Sequence, residues 1–350
     1  MKDFHYRGLP SDVYFGTGTL KTLPAIVAAH GSRALILTTP EQGGEADRLA
    51  ELLGSLAVGR FCEAAMHTPV DVTDRAVAVA REAGADLTVT IGGGSTIGLG
   101  KAITRRIDIG QVAIPTTYAG SEMTPILGET DGGLKTTIRE DRLLPLAVLY
   151  DVDLTLGLPA GITGTSGLNA IAHAVEGLYA QDTNPVMQLV AEDGIRALAS
   201  ALARLAQDGG DREARFDALY GAWLCGIVLG SVGMALHHKL CHTLGGTFDL
   251  PHSPTHAIIL PHAVAYNAGA VPAAMERLER ALGSHNPAGA LFDLGRSVGT
   301  PAGLRDLGMP EAGIDRAADL AIANPYWNPR PIEREPLRAM LARAWAGERP

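Results

Sequence analysis

The sequence has few cysteines, no cluster of basic residues and no long apolar run. Its three cysteines are odd in number and follow neither a disulfide nor a metal-binding spacing, so we expect a reducing, cytoplasmic compartment. No run reaches the roughly 18 apolar residues of a membrane-spanning helix. Residues 1–10 also lack the apolar segment of a signal peptide. A net charge of −9 without a basic block argues against nucleic acid as a partner.

The composition is that of a globular protein, and 350 residues are enough for about two domains. The first half alternates short apolar runs with helical periodicity, which is typical of βαβ units around a parallel sheet. We predict strands at 34–38, 87–91, 112–114 and 147–150, and helices at 46–56, 74–83 and 95–103.

Beyond residue 153 only helical periodicity remains. The predicted helices lie at 185–207, 213–232, 272–282 and 291–298. The sequence therefore predicts a Rossmann-like α/β dinucleotide-binding domain over 1–155 and an all-α catalytic domain over 156–350. The expected active site is the cleft between these domains.

A glycine-rich turn follows the predicted strand 87–91. Glycines allow close approach of the backbone, and the free N–H groups at the start of the next helix suit a pyrophosphate. The turn matches neither common phosphate-binding fingerprint, so an ordinary strand-to-helix turn explains it equally well. A second polar loop, at 115–122, follows the next strand. Two such loops at neighbouring strand ends favour a dinucleotide site.

Histidines are concentrated in one short stretch of the helical half. Six of the eleven histidines lie within 237–262, and His238/His242 and His252/His256 have the i,i+4 spacing of one helix face. Asn169 and His173 form a third such pair. Glycines at 245–246 and Pro251 predict helix, turn, helix. A satisfied polar core is one interpretation, but burying that many rings is costly without partners, so we favour an active-site cluster.

The motifs together resemble the iron-containing alcohol dehydrogenase superfamily, whose architecture dehydroquinate synthase shares. The matching segments and residues are 15–18, 92–95, 115–117, 120–122, His173, His238, His242 and 251–252. The loop PTTYAGSEMT, the segments HHKLCH and PHSPTH, and the tail 324–334 resemble maleylacetate reductases in particular.

This resemblance implies an oxidoreductase that uses NADH or NADPH. It would reduce the carbon–carbon double bond of maleylacetate, a small dicarboxylate, to 3-oxoadipate in the degradation of aromatic compounds. A cytoplasmic homodimer is the expected state. The superfamily's metal-binding aspartate falls on Asn169, and its three histidines fall on His173, His238 and His252. Because a neutral amide is a poor ligand for Fe²⁺ or Zn²⁺, no metal is expected.

The resemblance also assigns roles to individual residues. The predicted catalytic residues are Asn169, His173, His238, His252 and the proton donor His242. The predicted cofactor-binding residues are Thr38, Thr39, Gly92, Gly93, Gly94, Ser95, Thr116, Thr117, Ser121, Lys135 and Leu156. The predicted substrate-binding residues are Tyr118, Lys239, His256 and Arg330. Thr39 stands where an acidic residue would repel a 2′-phosphate, so both cofactors should be accepted unless Glu41 turns inward.

Three alternatives remain from the sequence. A metal-dependent alcohol or polyol dehydrogenase would differ in its metal content. A lyase resembling dehydroquinate synthase would need more Lys and Arg for a phosphate than these motifs contain. A non-catalytic binding protein would not explain the histidine cluster.

Overall fold

The computed structural model describes residue 4 and residues 6–350, without the side chains of Leu134 and Lys135. The predicted cofactor residue Lys135 therefore lies outside the described side chains. The chain divides into a first unit, Gly8–Gly157, and a second unit that contains Leu158–Pro350.

The first unit contains a parallel sheet of six strands, as the strand–helix alternation predicts. The strands of this unit are β1 (Asp12–Gly16), β2 (Ala34–Leu37), β3 (Ala57–Phe61), β4 (Leu87–Gly92), β5 (Gly110–Pro115), β6 (Ile126–Asp131), β7 (Leu134–Arg139) and β8 (Ala147–Asp151). The sheet order is β1-β8-β5-β4-β2-β3, and β6 and β7 form a separate antiparallel hairpin. The four predicted strands are the buried centre of the sheet, whereas β1, β3 and the hairpin were not predicted.

Helices cover both faces of this sheet. They are α1 (Leu23–His30), α2 (Gly43–Leu53), α3 (Val70–Glu82) and α4 (Gly94–Ile107). Successive side chains of β2 point to opposite faces. Accordingly, Ile36 packs with α1 and α2, and Leu35 packs with α3 and α4. Burial on both faces explains why the central strands are continuous apolar runs.

The regular secondary structure of the second unit is all helical in its described residues, as predicted. Its helices are α5 (Ala160–Tyr179), α6 (Pro185–Leu205), α7 (Arg212–Ser231), α8 (Leu236–Phe248), α9 (His252–Asn267), α10 (Pro272–Leu282), α11 (Pro287–Ser297), α12 (Gly313–Ala323) and α13 (Arg334–Ala346). One apolar core joins α8, α9, α12 and α13. Among the described residues no single helix is long and apolar enough to cross a membrane, although α7 and α8, bent by 92°, pass that test as a pair.

The predicted break within the histidine stretch needs one correction. Gly245 and Gly246 do not end the helix but lie inside α8, which continues to Phe248. The turn is made by Asp249, in the left-handed conformation with φ 53°, and by Pro251, directly before α9. Asp tolerates this conformation better than most residues, so the short polar residue replaces glycine as the helix terminator.

Candidate active site

The carboxyl ends of β2, β4 and β5 lie side by side and bring the two predicted polar loops together. The backbone N–H of Thr116 donates to the carbonyl oxygen of Gly92 over 3.0 Å. Gly92 has a φ of +145°, and a Cβ atom there would lie 2.6 Å from the Thr96 hydroxyl oxygen. Only glycine fits this turn without displacing its neighbours.

The start of α4 is suited to bind an anion. Gly93 precedes the helix, and no side chain caps this described N-terminus. A Cβ atom on Gly94 would meet nothing within 4 Å, so the backbone there is open to a ligand. The exposed N–H groups and the helix dipole favour a phosphate at this position.

A buried lysine fixes the second loop. Lys101 on α4 donates from Nζ to the carbonyl oxygen of Ser121 over 2.6 Å and to Oγ1 of Thr124 over 2.9 Å. Burial lowers the pKa of Lys101 to about 7, and Glu122 opposes that shift. Glu122 is itself buried, which raises its pKa, and it accepts a hydrogen bond of 2.8 Å from the Tyr150 hydroxyl. The sequence analysis did not identify this network, which holds the loop that contains Ser121.

The other predicted cofactor residues occupy the same unit. Thr38 is fully buried at the end of β2, and Thr39 follows it at the start of a short 3-10 turn. Leu156 ends another such turn after β8. Tyr118, predicted to bind the substrate, is completely buried.

In the second unit, the histidines of α5, α8 and α9 form one cluster. The ring centroids of His173 and His238 are 5.1 Å apart, and those of His238 and His256 are 5.0 Å apart. His252 lies 4.3 Å from His256 by the same measure. The predicted i,i+4 pairs therefore do bring side chains from three helices together.

A carboxylate that was not predicted orients this cluster. Glu176 lies three residues after His173 on α5 and is fully buried. Its Oε2 atom lies 2.7 Å from Nδ1 of His238 and accepts from the backbone N–H of Ala235 over 2.7 Å. Its Oε1 atom accepts from the backbone N–H of His237 over 2.6 Å. With the Nδ1 proton held by Glu176, Nε2 becomes the atom that His238 presents to a ligand.

Several buried polar atoms of the cluster have no protein partner. They are Oδ1 of Asn169, Nδ1 of His173, Nε2 of His238, Nδ1 of His237 and Nε2 of His256. Buried polar groups are normally hydrogen-bonded, so such a concentration indicates a place where a polar ligand binds. Burial, reinforced by the neighbouring histidines, holds the pKa values of His173, His237 and His256 well below the usual range. These three rings are neutral at physiological pH.

His237, Cys241 and His256 also have donor atoms close enough to share a metal ion, all within 4.8 Å of one another. Nε2 of His237 lies 3.0 Å from Nδ1 of His256, so a hydrogen bond already joins the two rings. Burial raises the pKa of the Cys241 thiol well above its usual range, which disfavours the thiolate that metals bind.

Two more predicted residues of α8 lie beside Tyr326. His242 Nδ1 is 3.1 Å from the hydroxyl oxygen of Tyr326, and Nζ of Lys239 lies 5.6 Å from the centre of the same ring. Arg330, a predicted substrate residue, instead stacks on Tyr266 at 4.0 Å and donates to its carbonyl oxygen over 2.8 Å. Tyr326 was not predicted, because no local spacing connects it with α8.

Comparison with known proteins shows the family to which the chain belongs. The sequence model of iron-containing alcohol dehydrogenase matches residues 10–152, and that of the C-terminal part of the Fe-containing alcohol dehydrogenase family matches residues 163–345. The chain belongs to the iron-containing alcohol dehydrogenase family and is an oxidoreductase.

Within this family, the resemblance to maleylacetate reductases is confirmed. The chain is 56% identical to a maleylacetate reductase of Sphingobium indicum, with 98% of each chain covered. It is 52% identical to a crystallised maleylacetate reductase of Agrobacterium tumefaciens, with a TM-score of 0.96 and 100% of both chains covered. A putative alcohol dehydrogenase of Ralstonia eutropha JMP134 is 57% identical over 100% of both chains, with a TM-score of 0.98.

At the position that the resemblance assigns to the family's metal, the donor atoms include no anion. His173, His238 and His252 supply imidazoles, and the remaining position holds the neutral amide of Asn169. No anionic ligand balances the charge of a divalent ion in this set, since Glu176 is bonded to the far side of the His238 ring. A divalent ion binds such a set more weakly than a set that includes a carboxylate.

Proposed function

We propose that this enzyme reduces the carbon–carbon double bond of maleylacetate to give 3-oxoadipate, in the degradation of aromatic compounds, with NADH or NADPH and without a metal ion. The observation that carries this proposal is the neutral donor set at Asn169, His173, His238 and His252. In a cluster that lacks a metal cation, an aspartate in place of Asn169 would repel a dianionic substrate.

The reduction depends on hydrogen-bond donors to the ketone oxygen more than on a Lewis acid. In maleylacetate the double bond is conjugated to a ketone, so a hydride added to the alkene moves an electron pair onto the ketone oxygen. Preorganised hydrogen-bond donors stabilise such an enolate. Alcohol oxidation, by contrast, needs help to remove the alcohol proton, which a metal ion provides.

The histidine cluster contains suitable donors. Asn169 can donate from its amide nitrogen to the enolate oxygen. With its Nδ1 atom on Glu176, the His238 ring accepts through Nε2, and a proton on Nε2 would be donated to the enolate oxygen while Glu176 balances the charge. The centroid of the His173 ring lies 5.1 Å from that of His238, so His173 adds a third polar side chain to this site.

A nicotinamide cofactor fits the first unit. The open start of α4 at Gly93 and Gly94 would hold its pyrophosphate, and Lys101 would keep the Ser121 loop in place beside it. When bound, the cofactor supplies the hydride. Thr39 stands where an acidic residue would repel a 2′-phosphate, so the proposal includes both NADH and NADPH.

The two substrate carboxylates need a cationic partner. Lys239 is the best placed among the predicted residues, because its Nζ lies 5.6 Å from the centre of the Tyr326 ring, whose hydroxyl contacts His242. Burial lowers the pKa of Lys239, and a substrate carboxylate would favour the charged form. We assign the delivery of the one proton that balances the hydride, to the carbon next to the ketone, to His242.

The direct test is NADH oxidation with maleylacetate, run beside simple aldehydes and ketones. The proposal predicts rapid oxidation with maleylacetate alone and a product heavier than the substrate by two hydrogen atoms. Turnover of simple aldehydes or alcohols with little activity on maleylacetate would instead support the alcohol dehydrogenase alternative.

A further inference from the structure

The segment 324–331, between α12 and α13, is fixed to the end of α9 by a pair of amides. Nδ2 of Asn328 donates to Oδ1 of Asn267 over 2.7 Å, and Nδ2 of Asn267 donates back to Oδ1 of Asn328 over 3.0 Å. Nδ2 of Asn328 also donates to the carbonyl oxygen of Arg330 over 2.7 Å. The bond to the Arg330 carbonyl oxygen fixes the orientation of the Asn328 amide, and the reciprocal pair then fixes that of Asn267. Together these bonds define the path of the segment.

A second anchor lies one residue earlier on α9, at Tyr266. The Arg330 guanidinium stacks on the Tyr266 ring, and the Tyr266 hydroxyl donates to the carbonyl oxygen of Pro331 over 2.9 Å. Segment 324–331 has no regular secondary structure. Side-chain contacts of this kind, rather than the backbone hydrogen bonds of a helix or sheet, therefore determine its position.

These anchors place Tyr326 against α8. Its hydroxyl oxygen is 3.1 Å from Nδ1 of His242, and the two ring centroids are 6.1 Å apart at nearly right angles. Lys239 extends over the same aromatic face. Burial and the nearby Glu176 raise the pKa of the Tyr326 hydroxyl, so it remains a neutral phenol at physiological pH.

We propose that Tyr326 is a positioning residue that keeps the transferable proton of His242 on Nε2. A phenol oxygen can donate and accept. It donates to Nδ1 of the resting neutral ring, and it accepts from Nδ1–H once the ring has taken up a second proton and is cationic. The cationic ring gives its Nε2 proton to the substrate and is left neutral, with its remaining proton on Nδ1. The contact therefore persists through a cycle of protonation, and Nε2 carries the proton that is given to the substrate. This inference rests on the proposed function, in which His242 is the proton donor.

The first variant is Tyr326→Phe, which keeps the aromatic ring against His242 and Lys239 and removes only the hydroxyl. General acid catalysis contributes about 10²–10⁴-fold to a rate, so partial loss of the correct tautomer should lower kcat at least about tenfold. KM for maleylacetate should change less than about threefold, because binding contacts remain. Tyr220→Phe is the matched control, since it removes a hydroxyl that donates to Asp193 over 2.9 Å, and kcat should stay unchanged.

The second variant tests the anchor. Asn328→Ala should lower kcat in the wild-type background, because it releases Tyr326 from its position. In the Tyr326→Phe background the same change should have little further effect on kcat, since the hydroxyl that it positions is already absent. Fully additive losses would show that segment 324–331 has only a structural role.

A measurement without substrate separates this inference from the proposed reaction. The ring ¹⁵N shifts of His242, assigned by their loss in His242→Gln, report which nitrogen carries the proton. We expect a protonated Nε2 in the wild type and a shift toward the other tautomer in Tyr326→Phe. Identical His242 shifts in the two proteins would overturn the inference, whether or not maleylacetate is the substrate.

Discussion

At the scale of single residues, Asn169 has the largest effect on whether the site binds a metal ion. The resemblance places it where the family's metal site has its only anionic ligand, and its Oδ1 atom is buried without a protein partner. An amide and a carboxylate have nearly the same shape, so helix α5 and its packing are unaffected by the difference. The chemical effect is large, because a carboxylate strengthens the binding of a divalent cation by three imidazoles.

The first prediction is that Asn169→Asp raises the affinity for Fe²⁺ and Zn²⁺. The new carboxylate would lie beside neutral imidazoles and restore the charge balance of a metal site. We expect at least about a tenfold lower Kd than in the wild type, a gain of roughly 1.4 kcal/mol, measured by titration calorimetry. Asn286→Asp, at the exposed cap of α11, adds the same charge elsewhere and should leave the affinity unchanged. Equal metal affinity in wild type and Asn169→Asp would contradict the assignment.

The second prediction concerns Glu176. Glu176→Gln replaces one acceptor oxygen with a donor that must face a backbone N–H or the His238 ring. Leaving buried donors unsatisfied costs about 1–3 kcal/mol, so the free energy of unfolding should fall by that amount. We also expect kcat to fall at least about tenfold, since the orientation of His238 is lost. Glu51→Gln, on the exposed face of α2, is the control. An unchanged kcat would show that Glu176 supports the fold only.

The third prediction concerns the choice of cofactor. The Glu41 carboxylate accepts from its own backbone N–H and from Thr39, which holds its pKa below the usual range and keeps it charged. We expect kcat/KM for NADH and NADPH to differ by less than about 100-fold, or roughly 2.7 kcal/mol. Glu41→Gln should shift the ratio toward NADPH, because it removes the nearest negative charge. A larger preference for NADH, unaffected by this substitution, would contradict the interpretation.

At the scale of secondary structure, the sequence predicts buried elements better than edges. The strands β2, β4 and β8 are fully buried, and β5 is buried except at Gly110, so each contains a continuous apolar run. The edge strands β1 and β3 are only half buried and include glycine and arginine, which gives them no such pattern. Their positions follow from pairing with neighbours, and pairing is not a local property of the sequence.

The same reasoning separates the predicted and unpredicted parts of the candidate site. The histidine pairs were predictable because i,i+4 spacing places both side chains on one helix face. Glu176 was detectable too, because it lies at i,i+3 from His173 on the same face. Tyr326 is 84 residues from His242, and only the packing of segment 324–331 on α9 brings the two together. No spacing rule applies to a contact of that kind.

At the scale of the whole molecule, the buried histidines should make the protein sensitive to acid. Burial lowers the pKa of His262 to about 4, and the nearby positive charge of Arg343 adds to this shift. His173, His237 and His256 shift in the same direction. Below pH 6.5 the unfolded chain therefore takes up protons that the folded chain does not. This stability is present above pH 6.5 and is lost as the pH falls toward 4.

The fourth prediction follows from the direction in which stability changes with pH. The free energy of unfolding should fall from pH 6.5 to pH 5, and His262→Leu should reduce the fall by about 1–2 kcal/mol. Tryptophan fluorescence during denaturant unfolding is a suitable measurement, because Trp223, Trp327 and Trp345 all lie in the second unit. His285→Leu, at a fully exposed histidine, is the control. An identical pH dependence in wild type and His262→Leu would contradict a neutral, buried His262.

The fifth prediction tests the central claim, a reduction of maleylacetate that needs no metal. The measurement is the rate of NADH oxidation with maleylacetate by enzyme treated with EDTA, with the Fe and Zn content determined on the same sample. We predict far less than one metal ion per chain, a rate unchanged by the chelator, and no increase when Fe²⁺ or Zn²⁺ is added. One tightly bound metal per chain, with activity lost to EDTA and recovered with metal, would contradict the claim. That result would make Asn169 a metal ligand through its carbonyl oxygen.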